Sequence, residues 1–332
     1  QSVMEVSRIE NLPPPPGIIN SIKAGFDTIA SHITAILMPL LLNLFMWLGP
    51  RLQMSALFEA IKQDVVSNWQ SLGMPAERIQ QTLDFYNSTI PNINLFWLLR
   101  TIPIGISSLL LPHSADATPL GSPVIMQVSA FNFLGWLFLL TLAGWIGGGL
   151  YFRSVAWVAI PNQANVINTF SAITQTILIS IACGFILMVI GIPLLLILFL
   201  VIQLNAVLAN LVVLFISLGS MWVIVPLFFW PHGIFIRNQN FFTSILSSIQ
   251  LTRFTLPTSS LFVLTVFLLS FGLNFLWNIP PEDSWMTLLG IFGHSFVTTA
   301  LLAGSFIYYR DMSAWLQSVI EKLRPNSTIK QA

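Results

Sequence analysis

The sequence predicts an all-α integral membrane protein of about six transmembrane helices. Helices 1–2 and 5–6 form a parallel internal repeat flanking a central pair, and an outer helical insertion is added to the first copy. Three observations carry this expectation. Of 332 residues, 55% are hydrophobic and 8% charged, with a mean hydropathy of +0.81, whereas an average soluble domain is roughly 25% charged. Apolar runs long enough to span recur along the chain, each near the roughly 20 helical residues that a 30 Å hydrocarbon core requires. Two of these runs close alike, with "LYFRSVAW" at 150–157 and "IYYRDMSAW" at 307–315.

The same composition excludes other classes. A net charge of +1, from 13 basic and 12 acidic residues, gives no large field for nucleic acid or an acidic partner. Cys183 is the single cysteine, so intramolecular disulfides and Cys-based metal sites are excluded. No cofactor is expected. The stretch "QSVMEVSRIENLPPPPG" has no basic region followed by an apolar one, so insertion is expected to rely on the first internal hydrophobic helix.

In chain order, residues 1–16 read as a flexible Pro-rich segment, and 17–49 as a surface helix followed by the first span at 32–49 ("HITAILMPLLLNLFMWLG"). Residues 50–128 form an extramembrane helical insertion. Within it Met54, Leu57, Phe58, Ile61, Val65 and Trp69 recur at helical spacing, and after "GMP" a second helix follows through Ile79, Leu83 and Tyr86. The segment 93–112 is long enough to span but carries Arg100 and Pro103. An arginine at mid-bilayer costs about 2.5–3.5 kcal/mol on the insertion scale, so this segment is expected to be interfacial or re-entrant. Residues 129–239 hold spans two to four, at 129–151, 172–191 and 205–230. A kink or short connecting helix is expected at Pro193, because proline removes a backbone hydrogen bond. Residues 240–315 hold a second surface helix and spans five and six, at 257–279 and 285–309; 316–332 is a polar tail.

Two further matches extend the repeat. "LNLFMWLGP" at 42–50 resembles "LNFLWNIP" at 273–280, and "NSIKAGFDTIASHITAIL" resembles "TSILSSIQLTRFTLPTS", in the same order. Asn43 and Tyr151 lie 108 positions apart, Asn274 and Tyr308 only 34, an excess matching the insertion. An even number of spans between the copies makes the repeat parallel. With the N-terminus inside, the outer cations Arg51, Lys62, Arg78 and Arg100 all belong to the insertion region, and the remaining cations are inner, as the positive-inside rule favours. Tyr151, Arg153, Tyr308 and Arg310 are then interface anchors, with rings among headgroups and arginines reaching phosphate.

The stretch "VPLFFWPHGIFIRNQNFFTSILSSIQLTRF" runs from a span ending in Pro into an amphipathic helix of Ser-spaced apolar residues with Arg. Over residues 220–315 it resembles the bacterial six-helix membrane proteins related to the membrane domain of some glycerophosphodiester phosphodiesterases. That resemblance implies a six-helix fold. It implies no hydrolytic activity, which in such proteins belongs to a separate soluble domain.

Candidate chemistry is sparse. Haem or pigment ligation needs imidazoles at compatible depths, and His32, His113 and His232 lie at span ends or outside. His294 alone is placed as an intramembrane ligand; its ordinary reading is a hydrogen bond to a neighbouring helix. The six spans contain no Asp, Glu or Lys, which disfavours proton coupling. Intramembrane polarity is amide: Asn43, Asn274, Asn205 and Asn210, with Gln203 beside them. Asn43 and Asn274 occupy equivalent repeat positions and are placed to line a polar site, against the alternative of interhelical hydrogen bonding. Gly144, Gly147, Gly148 and Gly149 form a small-residue face for close approach of another helix.

The expected function is therefore non-catalytic: a scaffold or accessory subunit of a membrane assembly, with membrane lipids and other membrane protein subunits as partners. The alternative is a small-molecule or lipid transporter with a polar site at the repeat interface. The expected location is the bacterial plasma membrane, both termini cytoplasmic.

Overall fold

The computed structural model describes residues 14–90, 93–110, 117–161 and 166–323. It is nearly all-α. Helix α1 (Ile18–Ser31) breaks sharply at His32 into a 3-10 turn (Ile33–Ile36) and α2 (Leu37–Leu48). Strand β1 (Arg51–Gln53) leads into α3 (Ser55–Ser71) and α4 (Ala76–Thr89), the expected helical hairpin. A 3-10 turn at Leu95–Leu99 and irregular chain follow, then strand β2 (Ile125–Gln127). The long helices are α5 (Phe133–Ala159), α6 (Thr169–Ile186), α7 (Ile192–Leu204), α8 (Ala206–Arg237), α9 (Phe241–Trp277) and α10 (Thr287–Leu323). Among the described residues five helices are long and apolar enough to cross a membrane, or six if the broken pair around His32 counts as one span.

Three local features shape these elements. Between α6 and α7, beside Pro193 where a kink or short connecting helix is expected, the chain runs through a π-turn at Leu187–Gly191. Pro193 has no N–H to give, and the widened turn just before it absorbs the missing bond. Phe241–Trp277 is divided by a kink at Thr255 (φ −124°, ψ 20°), two residues before Pro257, so that one helical segment ends where the expected span at 257–279 begins. The Thr255 hydroxyl donates to the Leu251 carbonyl at 2.7 Å, supplying a donor beside the break that Pro257 causes. Thirdly, β1 and β2 pair in parallel, Arg51 opposite Ile125 and Gln53 opposite Gln127. This pairing brackets the insertion and has no local signal, since its partners are far apart in the chain.

The chain divides into two compact units. One comprises the chain up to Ile33, Phe152–Leu269 and the part from Thr299 onward; the other comprises Thr34–Tyr151 and Ser270–Thr298. The core of the first is aromatic. Phe262 stacks on Tyr308 with centroids 3.9 Å apart, and Phe229 lies against Phe262, Tyr308 and Tyr309. A buried hydroxyl stripe on α9 lies along α8: Ser244 donates to the Trp230 carbonyl at 2.6 Å and Ser248 to that of Pro226 at 2.6 Å. At i and i+4 both hydroxyls lie on one helix face. Small polar residues of this kind let membrane helices approach closely. In the same unit α1 touches α10 through Gly25, where a Cβ would run into the Ala300 carbonyl and the Gly304 backbone.

The core of the second unit gathers Met46, Trp47, Leu52, Leu95, Phe96, Leu109, Leu110, Val128, Leu140 and Ile291. Segment 93–110, expected at the interface or re-entrant, thus supplies core residues.

Candidate functional site

The polar residues of the second unit converge on its irregular chain. Asn43, on α2, is fully buried. Its Nδ2 donates to the Pro39 carbonyl at 2.7 Å and, longer, to the Ser107 carbonyl at 3.4 Å; its Oδ1 accepts from Leu109 N–H at 2.7 Å. Backbone outside a helix leaves its N–H and C=O groups without local partners, and in a water-poor interior each needs a substitute. One asparagine provides two. Opposite, the glycine face of α5 receives this same chain: a Cβ on Gly148 would lie 2.8 Å from the Ile104 carbonyl and Gly105 Cα, and one on Gly144 would meet the Leu98 and Leu99 carbonyls. The small residues therefore admit extended backbone, where the sequence predicts a helix. Arg100 donates to the Leu110 carbonyl at 3.1 Å and lies over the Trp97 ring at 4.8 Å.

Two further contacts order this unit. Arg51 donates to the Met46 carbonyl at 2.7 Å and to the Trp47 carbonyl at 3.4 Å, placing a cation at the C-terminal, electronegative end of α2. Burial lowers the pKa of Arg51 and the charge of Glu282 opposes that shift. Asn94 accepts from the N–H groups of Leu52 (3.1 Å) and Phe96 (3.2 Å), tying β1 to the 3-10 turn.

His294 and Asn274 form a separate pair. The Nδ1 of His294 and Oδ1 of Asn274 are 2.8 Å apart; since an amide oxygen only accepts, Nδ1–H is the donor. The interhelical hydrogen bond expected for His294 is present, and it identifies the use of Asn274. The two asparagines placed together by the sequence reading thus serve different partners within one unit: backbone for Asn43, imidazole for Asn274.

Asn205 caps α8, accepting from Val207 N–H at 2.7 Å and Leu208 N–H at 3.3 Å. Asn210 lies on the exposed surface of α8. Neither belongs to an internal polar site. His113 and the tail beyond 323 lie outside the described residues.

Compared with known proteins, the chain matches no family model, no curated protein and no solved structure. The resemblance of residues 220–315 therefore transfers no activity.

The four expected anchors divide by side chain. Tyr151 and Tyr308 are buried, 3% and 0% exposed, so their surroundings are protein rather than headgroups. The Tyr308 ring completes the aromatic stack, with its hydroxyl 3.5 Å from Ser259 Oγ. Arg153 donates to the Ile167 carbonyl at 2.9 Å and stands over Trp157, whereas Arg310 pairs with Asp311 at 2.7 Å. The aromatic-Arg likeness at the two exits thus accompanies different contacts.

One pair escaped the sequence reading. His232 Nε2 lies 2.7 Å from Ser305 Oγ, and Ser305 donates to the Leu302 carbonyl at 2.7 Å. A hydroxyl has one hydrogen, so His232 donates through Nε2. Rings of Phe228, Phe229, Phe306 and Tyr309 surround this imidazole. His232 stands at the end of an apolar run beside Pro231, a position that gives no hint of a partner 73 residues away.

Proposed function

We propose that the chain is a non-catalytic multi-pass membrane protein that works by association, as a scaffold or accessory subunit of a membrane assembly. The observation that carries this reading is the hairpin of α6–α7 and α8. No Asp, Glu, Lys or Arg occurs between Arg153 and Arg237. From Gly184 to Ile224, Ala209 is the one buried side chain among those described. The arms, Thr169–Ile202 and Val207–Arg237, have 34 and 31 residues, which at 1.5 Å per residue is about 51 and 47 Å. The packed end of α8 lies beside Phe262 and Ser305 through Phe228 and His232, on helices that themselves qualify as spans, so its free end lengthens a membrane path already begun. Fitting 51 Å into a 30 Å core takes a tilt of about 54°, beyond the observed 0–40°. Lipid alone is a poor cover for the whole apolar surface, and neighbouring transmembrane helices are the natural one.

The transport alternative rests on a polar site at Asn43 and Asn274. Both Nδ2 hydrogens and the oxygen of Asn43 already have backbone partners, which favours a structural role and weighs against a substrate contact. The finer architecture belongs to the same proposal: a parallel repeat of span pairs, both termini cytoplasmic, and residues 51–128 outside, in a bacterial plasma membrane. Labelling of Ser71→Cys and Glu321→Cys from opposite faces of sealed cells, in a Cys183→Ala background, supports that orientation; labelling from one face contradicts it.

The association reading is tested by extracting the full chain from native membranes into polymer-bounded discs without detergent. A discrete particle holding another integral protein in fixed ratio is the expected result. A lone chain enclosing a water-filled passage would contradict it and favour transport.

A further inference from the structure

We infer that the first unit carries a binding site for the phosphate of an anionic glycerophospholipid, between the end of α8, the chain just after α5 and the 310–317 stretch of α10. A cavity of about 530 Å³ is lined by Ile160, Pro161, Ile236, Arg237, Arg310, Ser313, Ala314 and Gln317. Its polar lining residues are two arginines, a serine and a glutamine, with no acidic residue among them. Guanidinium presents five N–H donors in a planar fork that matches phosphate oxygens two at a time. The Asp311 carboxylate engages Arg310 through Nε, which does not exhaust that fork. On the protein side, Arg237 and Ser313 both neighbour the Tyr309 hydroxyl.

Position selects lipid over a free anion. Arg237 ends an uncharged stretch that begins after Arg153, so the cavity lies where apolar chain gives way to polar. Ile160, Pro161, Ile236 and Ala314 supply an apolar wall beside the cations. The volume also far exceeds a lone phosphate, being many times the roughly 30 Å³ share of a liquid water. A ligand with a phosphate joined to apolar matter fits both halves, and basic pockets between transmembrane helices are a known mode of headgroup recognition.

The test uses the full chain in nanodiscs of phosphatidylcholine, titrated with phosphatidylglycerol and followed by native mass spectrometry, with inorganic phosphate as competitor. The expected result is retention of phosphatidylglycerol, at least tenfold weakened in Arg237→Gln/Arg310→Gln, unchanged in Arg153→Gln, and not displaced by millimolar phosphate. Displacement by phosphate would overturn the assignment to lipid. Equal retention of phosphatidylcholine and phosphatidylglycerol by the unmodified chain would overturn the site itself, a comparison that needs no variant to fold.

Discussion

Helix α10 and the hairpin of α6–α8 order oppositely by hydropathy and by burial. The most apolar stretch of α10 has a mean hydropathy of 1.4 and is 61% buried, whereas the α6–α7 run reaches 3.3 with none of that stretch buried, and α8 reaches 2.4 with 6%. In a soluble protein the ranking would run the other way, because water drives the most apolar side chains inward. Where the surroundings are apolar, that drive between helices disappears and close packing takes its place. Inner positions of α10 are accordingly held by Ala300, Ala303, Gly304 and Ser305, while Leu195, Phe199 and Phe215 point outward from the hairpin. Hydropathy in this chain marks what faces away from its own core.

Six substitutions break or sharpen this contrast. The largest effect is expected for Phe262→Ala, which removes a fully buried ring from the Tyr308 stack and should cost about 3–5 kcal/mol in reversible unfolding in mild detergent. Phe215→Ala, at an exposed position of α8, should stay within about 0.5 kcal/mol; equal losses would erase the distinction between the regions. Next comes Asn43→Ala, which strips Leu109 N–H of its acceptor and should lower stability by about 1–3 kcal/mol, with faster proteolysis of segment 93–110. A protein unchanged by this substitution would return Asn43 to the pool of available polar groups.

Glycines give a paired test of similar size. Gly25→Ala forces a methyl into the Ala300 carbonyl and should cost about 1–3 kcal/mol. Gly219→Ala, with open space around its Cα, should gain up to about 1 kcal/mol from helix propensity. Thermal denaturation of the two variants should therefore shift in opposite directions. Among the buried positions the smallest effect is expected for Ser248→Ala, about 0.6 kcal/mol and at most near 1.7, the loss of one hydroxyl bond to the Pro226 carbonyl.

What was legible in the sequence followed from local periodicity. The hairpin of α3 and α4 appears because Phe58, Ile61, Val65 and Trp69 repeat at helical spacing, and these residues with Leu83 and Tyr86 line its groove. The runs that form the long helices are visible for a different local reason, their unbroken apolar length. Long-range features were not legible. Strands β1 and β2 have three residues each and pair across the whole insertion, so neither has a pattern of its own. Asn43, Asn274 and His294 stand out as polar residues in apolar runs, yet an amide takes whichever partner the tertiary fold offers. Leu109 N–H and the Ser107 carbonyl become partners only because the chain after Pro103 runs without helix. Tyr308 shows the limit from the other side: Tyr beside Arg at the end of an apolar run fits an interfacial belt and a packed aromatic core equally well. Burial separates the two, and burial depends on α8 and α9.

The most direct measurement places a photo-reactive phenylalanine analogue at Phe199 and, separately, at Phe215 of the full chain, and irradiates native membranes. If the apolar hairpin is a surface for association, both positions give discrete adducts with the same second protein, reproducible in mass. Labelling of lipid alone at both positions would contradict the account, leaving the hairpin as a lipid-facing wall and the chain without the contact on which its proposed role depends.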